Sequence, residues 1–451
     1  MTRPNILFFF SDQQRWDTIG AYGQPLDVTP HLDELAKQGV LFEEAYSPQP
    51  VCGPCRAIFQ TGRYPTQTGC FRNNIALPKN TKTLADYFTE NGYDTAYIGK
   101  WHLASDGELE QAPTVDYTIT AIPPERRGGY KGFWRAADVL EFTSHGYDGF
   151  VFDENMNKCE FKGYRVDCIT DFALEYLDQY NGDKPFFMTI SHIEPHHQND
   201  RQTYEGPEGS KTRFSQYQLP HDLKVLKGNA DEMYPDYLGC CRSLDDNLGR
   251  VIDKLKEKNL FDNTIIIYAS DHGSHFMTRN KDEHLNGYDD YKRTCHSSAL
   301  HVPLIIAGPG YRGGLRIKDL VSTASLPKTF LAMAGINVGD KMIGENLHDV
   351  VEHTDPQRPN EIFAQISESR IGRCIRTDKY LYSVYAPNVQ GGEQAGSDYY
   401  RDDFLYDLDK DPFELTNVVA DPAYTEIKAD LRERLCELME QAGEKRPVIE
   451  D

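Results

Sequence analysis

No uninterrupted apolar run in this chain reaches the ~18 residues of a membrane helix, so no membrane partner is expected. Internal repeats and low-complexity tracts are also missing, which argues against a repeat architecture or a disordered chain. Positive charge is in deficit: 48 Lys and Arg against 70 Asp and Glu leave a net charge of −22. Phosphate backbones need a basic surface, so nucleic acid is disfavoured as a partner. A small anionic substrate is not, because Lys, Arg and a metal can reverse the sign inside a pocket. The ten cysteines are scattered, and apart from Cys52/Cys55 only Cys240–Cys241 lie close together. Adjacent cysteines rarely bridge each other, so the set reads as mainly reduced thiols. The opening Met1-Thr2-Arg3-Pro4 leads into Ile6–Phe10, an apolar run too short for a signal peptide. As written, the sequence reads as cytoplasmic, or as periplasmic or secreted if a leader has been removed.

What is present points to a large mixed domain. At 451 residues the chain exceeds a typical single domain, and 39% hydrophobic residues are enough for a sizeable core. The 35 glycines and 25 prolines fit a loop-rich enzyme. Short apolar or β-branched runs predict strands at Asn5–Ser11, Asp94–Gly99, Pro185–Ser191, Thr264–Ser270 and Pro303–Ala307. Tyr237, Leu238, Cys241, Leu244, Leu248, Val251, Ile252 and Leu255 recur at helical spacing, and the pattern stops near Asn259. Buried strands alternating with amphipathic helices imply an α/β fold. Its sheet would be largely parallel and covered on both faces, with ligands beyond the carboxyl ends of the strands. Past Pro356 the character changes. Arg373–Val384 reads as an edge-hairpin component, Phe404–Val418 is polar with Asp-Pro punctuation, and Ala423–Gly443 reads as a closing amphipathic helix. The expected division is a catalytic domain over residues 1–355 and a C-terminal subdomain over 356–451.

Two acidic pairs sit at the predicted carboxyl edge. Asp12–Gln13 follows the first strand and Asp271–His272 the fourth. For a single Asp, capping the next turn is the better explanation. Two such pairs, each straight after an apolar strand, favour two carboxylates, an amide oxygen and an imidazole converging on one divalent cation. The oxygen donors suit Ca²⁺ or Mg²⁺, and the imidazole brings in Mn²⁺ or another transition metal. Cys52-Gly53-Pro54-Cys55-Arg56 is the second signal. Alone, Cys-Gly-Pro-Cys is a dithiol redox motif. Cys52 precedes a predicted helix, Arg56–Thr61, whose N-terminus would favour an anionic nucleophile and an anionic ester alike. Arg56, one turn on, can hold oxyanions with fixed donors. Ile98-Gly99-Lys100-Trp101-His102-Leu103 places a cation and an imidazole after another strand, and Ser191–His197 carries three histidines. His275, His284 and His296 are close in sequence, and a solvated loop accounts for them.

Several of these motifs together resemble the type I sulfatases over nearly the whole chain. They are Cys52-x-Pro54-x-Arg56, Thr61-Gly62-Arg63, Gly99-Lys100-Trp101-His102 and Ser270-Asp271-His272-Gly273, with Leu405-Tyr406-Asp407-Leu408, Asp411-Pro412 and Glu414 near the end. The resemblance implies an alkaline-phosphatase-like fold: a large, mostly parallel sheet flanked by helices, plus a smaller C-terminal antiparallel-sheet subdomain. It implies that a maturing enzyme oxidises Cys52 to formylglycine, whose hydrate attacks sulfur. It assigns a divalent metal to Asp12, Gln13, Asp271 and His272, with Ca²⁺ expected first and Mg²⁺ or Mn²⁺ as alternatives. Gln13 stands where the family more often has Asp, and Cys55 where it more often has Ser or another small residue. Arg56, Lys100 and Lys292 would neutralise the sulfate, Lys292 standing eleven residues before Pro303 as in the family. His196, the histidine after Pro195, would contact sulfate or protonate the leaving alcohol, a step open to Lys292 too, and His102 would assist the nucleophile. Asn73 or Asn74 would reach the substrate.

The expected substrate is a sulfate ester, first a sulfated carbohydrate. The polar loops 108–131 and 199–228 carry Tyr117, Tyr130, Tyr204, Phe214 and Tyr217, whose faces suit a sugar. Ordinary surface loops explain them equally. Three alternatives stand beside this: a phosphonate or phosphate ester hydrolase of the same superfamily, a thiol–disulfide oxidoreductase using Cys52 and Cys55, and a binding protein whose Cys52 is never modified. Thr61-Gly62-Arg63-Tyr64-Pro65 after the tetrapeptide is foreign to a thioredoxin-like setting. No oligomeric state follows from the sequence.

Overall fold

A computed structural model describes residues 3–105, 115–279 and 290–451. His284 and the 108–114 part of the first polar loop lie outside the described residues. Asn5–Ser11 is buried at every position, and it pairs in parallel with Phe186–Ser191 on one side and Thr264–Ser270 on the other. A continuous apolar run suits a strand covered on both faces. Asp94–Lys100 and Phe133–Ala137 extend the parallel set. Leu304–Ala307 runs antiparallel to Thr264–Ser270 and also pairs with Val40–Tyr46. The Val40–Tyr46 strand escapes the sequence pattern because Glu43–Glu44 interrupt its apolar run. Among the described residues this sheet has twelve strands.

Side chains alternate across the sheet, and each set meets its own helix. Phe8 and Phe10 meet Phe59 edge-on, with ring centres 5.5 and 5.7 Å apart, and so seat the Cys52–Thr61 helix. Leu7 and Phe9 belong to the opposite cluster, with Leu244, Leu248 and Val251 of the Ala230–Glu257 helix. The first of these helices begins at Cys52, four residues before the sequence expectation. Val51 caps it in an extended conformation, and Pro54 falls in the first turn, where its missing N–H costs nothing. Gly62, at φ 61°, closes it.

A second sheet follows Glu361. Glu361–Ile366, Gly372–Thr377, Tyr380–Tyr385 and Tyr399–Asp407 are antiparallel neighbours in that order, and Val448–Glu450 adds in parallel. The Arg373–Val384 segment is a hairpin at the centre of this sheet rather than at its edge. Its side chains are covered on both faces. Cys374 and Leu381 pack with Tyr46, Leu300 and Leu320, while Ile375, Tyr382 and Val384 pack with Leu431, Leu435 and Met439 of the closing Thr425–Gln441 helix. Among the described residues no helix is long and apolar enough to cross a membrane.

Candidate active site

Strand register assembles the site. Ser11 pairs with Ser270, Phe10 with Ser191, and Gly99 with Ser191. Four strands therefore end level, and Asp12, Asp271, the His192–His197 segment and Lys100 leave the same edge, the ligand-binding edge of such sheets. Gly99 permits the close approach: its φ is +102°, and a Cβ there would stand 1.9 Å from the Ser191 carbonyl oxygen. The first residue of the Cys52–Thr61 helix completes the group. Cys52 Sγ lies 3.3 Å from Asp12 Oδ1, 3.3 Å from His272 Nε2 and 3.2 Å from Lys292 Nζ.

Positive groups surround that sulfur. Lys100 Nζ is 2.7 Å and Arg56 Nη2 2.9 Å from Asp12 Oδ2. Arg56 Nη1 donates to the Lys100 carbonyl at 2.7 Å and to Ser191 Oγ at 2.6 Å, and the guanidinium lies over the Phe10 ring at 4.8 Å. Burial and Asp12 push the Cys52 thiol up, but Lys100, Lys292 and His272 outweigh them and hold it well below its ordinary range. Burial alone would raise the Asp12 carboxyl, but Lys100, a hydrogen bond from His272 and Arg56 hold it well below the usual carboxylate range. The position of Sγ is thus a seat for negative charge.

Lys292 is held from the other side. Asp290 Oδ2 is 2.8 Å from its ammonium, and against burial that ammonium draws the Asp290 carboxyl down to about 2. Lys292 Nζ is also 2.6 Å from His196 Nε2, while His196 Nδ1 faces the His197 carbonyl at 2.6 Å. A carbonyl only accepts, so the proton sits on Nδ1, and Nε2 accepts from the ammonium. The sequence reading missed Asp290. Its only signal was a carboxylate two residues before Lys292, a pattern common on any polar loop.

Asp12, Cys52, Asp271 and His272 each bring a donor atom within 4.8 Å of the others, and all four are buried. The donor chemistry fits a divalent cation. Asp271 Oδ2 is buried without a hydrogen-bond partner among the described residues. His272 Nδ1 faces the Gly273 carbonyl at 3.0 Å, which turns Nε2 toward Asp12 Oδ1 and Asp271 Oδ1 at 3.4 and 3.5 Å. A backbone acceptor on the far ring nitrogen is the usual support of a metal-ligating histidine. The set draws positive charge: burial would lower His272, yet Asp271 and Cys52 push it up to about 10. Gln13, at φ 67°, is stitched beside this group. Its Oε1 accepts the His197 N–H at 2.9 Å, its Nε2 donates to the Asp290 carbonyl at 2.9 Å, and its own N–H donates to Asp271 Oδ1 at 3.2 Å.

Other expected residues fall at varied distances from this chemistry. Asn73 Oδ1 accepts the Gly53 N–H at 2.9 Å, beside Cys52, whereas Asn74 is exposed. His102 is buried with a left-handed backbone, φ 57°, and its Nδ1 has no hydrogen-bond partner among the described residues. His192 packs against the Phe9 ring in the core, and His197 bonds Asn199. The solvated-loop reading fails for His275 and His296, which are both buried; His296 stacks on Phe404 and bonds Tyr406. Three of the aromatics expected to face a sugar are core instead. Tyr204 and Phe214 pack with Tyr234, Tyr237 and Phe276, and Tyr130 packs with Tyr97 and Trp134, because each loop must cover its own helix or sheet end. The dithiol reading fails as well. Cys55 Sγ contacts the Asp271 carbonyl at 3.2 Å, Ser47 Oγ lies 3.7 Å away, and burial pushes its thiol well above the ordinary range, so it offers no accessible resolving thiolate.

Comparison with known proteins identifies the family. Residues 4–336 match the sulfatase family, and residues 283–441 match the C-terminal region of N-sulphoglucosamine sulphohydrolase. An uncharacterized sulfatase, YidJ, of Escherichia coli is 31% identical, over 98% of this chain and 88% of its own. An ulvan-active sulfatase of Formosa agariphila is 29% identical over 97% of this chain and 82% of its own. The crystal structure of a putative sulfatase from Bacteroides fragilis superposes with a TM-score of 0.80 at 24% identity, covering 98% of this chain and 96% of that one. The chain belongs to the sulfatase family, sulfuric ester hydrolases of alkaline-phosphatase-like fold.

Proposed function

We propose that this sulfatase hydrolyses the sulfate ester of a sulfated carbohydrate, using formylglycine made from Cys52 by a maturing enzyme and one divalent cation. The observation that carries the reading is the placing of Cys52: first residue of a helix, its Sγ between Lys292, His272 and Asp12. Asp12, Asp271 and His272 would hold the cation, with Gln13 offering the second lone pair of Oε1, and the oxygen-rich set favours Ca²⁺ over Mg²⁺ or Mn²⁺. Formylglycine would supply a hydroxyl nucleophile where Sγ stands, and the cation would withdraw charge from the sulfate oxygens.

The chain's own groups then divide the work. Lys100 and Arg56 keep Asp12 ionised and face the sulfate with positive charge. Lys292, fixed between Asp290 and His196, binds a sulfate oxygen and is placed to protonate the leaving alcohol, with His196 Nε2 accepting from its ammonium and so holding it in place. His102, whose Nδ1 is uncommitted among the described residues, takes up a proton at the nucleophile. Asn73 anchors the Gly53 N–H beside the nucleophile and reaches toward the substrate. The carbohydrate is supported by the ulvan-active relative. Residues 1–355 form the catalytic domain of this reading, and 356–451 the subdomain that closes its site.

The test is sulfate release from an aryl sulfate and a panel of sulfated sugars, by protein co-produced with a maturing enzyme, with Cys52→Ala as control. Release that disappears in the variant is expected. Phosphonate and phosphate esters are assayed beside them, and a higher kcat/KM on those would replace the sulfate reading. A Cys52 peptide of unmodified mass, with no turnover, would leave a binding protein.

A further inference from the structure

The loop joining the Glu361–Ile366 and Gly372–Thr377 strands belongs to the second sheet, yet it grips both sides of the Cys52 pocket. Glu368 Oε2 accepts the Asn73 N–H at 2.9 Å. Asn73 Oδ1 in turn accepts the N–H of Gly53, the residue after Cys52, at 2.9 Å. Glu368 Oε1 pairs with Arg293 Nη2 at 2.7 Å, and Ser369 Oγ donates to the Arg293 carbonyl at 3.0 Å. Arg293 follows Lys292, whose ammonium is 3.2 Å from Cys52 Sγ. These contacts close a ring: nucleophile helix, Asn73, Glu368, Arg293, Lys292, and back to the nucleophile. A third segment backs the loop. The Gly392 N–H donates to the Ser367 carbonyl at 2.7 Å, and a Cβ at Gly391 would stand 2.4 Å from Ser369 and 2.5 Å from the Glu368 carbonyl oxygen. Glycine at 391 lets the backing segment press directly on the loop.

We propose that Glu368 is a positioning residue: its carboxylate, bridging Asn73 and Arg293, sets the spacing between the nucleophile and Lys292. The proposal rests on the hydrolase reading for its kinetic consequences, but not for its geometry. A carboxylate used in this way fixes two backbone segments far apart in sequence with one rigid group. Outer-shell partners of this kind typically change rates by about 10- to 100-fold when removed, because small displacements of reacting groups are costly. An ion pair that only tied the two sheets together would affect melting and leave turnover per folded molecule intact.

The experiment compares wild type with Glu368→Ala, Glu368→Gln and Gly391→Ala, all matured. It measures kcat and KM on an ester that wild type hydrolyses, Tm, and inorganic sulfate binding by calorimetry. Glu368→Ala is expected to lower kcat by about 10- to 100-fold with KM and sulfate affinity within about threefold. Glu368→Gln is expected to recover part of the loss, since its amide oxygen still accepts from Asn73. Gly391→Ala is expected to lower kcat with Glu368 still in place. Unchanged kcat in Glu368→Ala overturns the proposal, as does a rise in KM alone, which would make Glu368 a substrate contact. Crystal structures of wild type and Glu368→Ala give a readout independent of turnover: Asn73 and Lys292 are expected to shift relative to Cys52, and both unmoved would overturn the proposal. If wild type hydrolyses no ester, the hydrolase reading fails, and these structures still decide the role of Glu368.

Discussion

Arg15 and Arg56 are both buried arginines near the carboxyl edge of the large sheet, 0% and 1% exposed, and they are treated differently. Arg15 spends every donor: Nε and Nη2 on Asp17, Nη1 and Nη2 on Asp222, and Nη1 also on the Ser274 carbonyl. Arg56 bonds Asp12, Ser191 and the Lys100 carbonyl, but its Nε has no hydrogen-bond partner among the described residues. Nor does Asp271 Oδ2, which stands 3.4 Å from Arg56 Nη2. Each unmet polar atom in a buried ion cluster costs stability, and the Arg15 cluster leaves no donor of its arginine unmet. The Cys52 pocket keeps unused capacity, and unused capacity in a buried, mixed-charge pocket is what a charged ligand needs.

The largest effects should separate the two arginines. Arg56→Met is expected to cut turnover by about 10²- to 10³-fold, the range for losing one fixed donor to a developing charge. Arg15→Met strands Asp17 and Asp222 and is expected to cost about 3–5 kcal/mol of stability, read by urea denaturation, with turnover per folded molecule unchanged. Loss of turnover in Arg15→Met at unchanged stability would break the comparison.

A smaller effect sharpens it. If the spare donors belong to a cation, adding Ca²⁺, Mg²⁺ or Mn²⁺ to chelator-treated protein should raise Tm. At a hundred times the dissociation constant the gain is about 2.7 kcal/mol. Asp271→Asn, which removes a donor charge, is expected to abolish most of the rise while leaving the Arg15 cluster intact. A Tm blind to all three ions in wild type would remove the metal from the scheme.

The same contrast explains what the sequence made legible. Strands of the parallel core read directly, because burial on both faces leaves continuous apolar runs such as Ile6–Phe10, and Asp12 and Asp271 stand out by following them. Arg56 stands out because it shares one short motif with Cys52, although its bonds run to Asp12, the Lys100 carbonyl and Ser191, 44 to 135 residues away. Glu368 was not. It lies 295 residues from Asn73, and nothing along the chain announces that a hairpin loop of a second sheet will reach the nucleophile. Val40–Tyr46 was hidden by its glutamates, and the central place of the Arg373–Val384 hairpin by the fact that strand order is a property of pairing. Tyr204 and Phe214 misled because an aromatic on a polar loop looks the same whether it faces solvent or the Tyr234–Tyr237 cluster.

The smallest prediction tests a histidine on the structural side of the contrast. His192 lies at the same edge as His196, but both its ring nitrogens are buried without hydrogen-bond partners among the described residues, and its ring packs on Phe9 at 4.8 Å. Burial, helped by Arg165, lowers it from an ordinary 6.5 to about 3. Between those values the unfolded chain binds a proton that the folded protein refuses, so stability rises with pH and falls on acidification from about 6.5. The slope is about 1.4 kcal/mol per pH unit at most. Asp245 works the other way. Burial pushes its carboxyl up to about 7, so the folded protein holds a proton the unfolded chain has released, and stability falls as pH rises toward 7. The two slopes oppose each other in wild type, and only a difference isolates His192. His192→Leu, which needs no hydrogen bond in the core, is expected to lose less stability than wild type between pH 6.5 and 5 in urea denaturation, with turnover unchanged at pH 7. Equal slopes in the two proteins would mean that His192 takes up its proton in the folded state, and a loss of turnover would move it to the working side of the site.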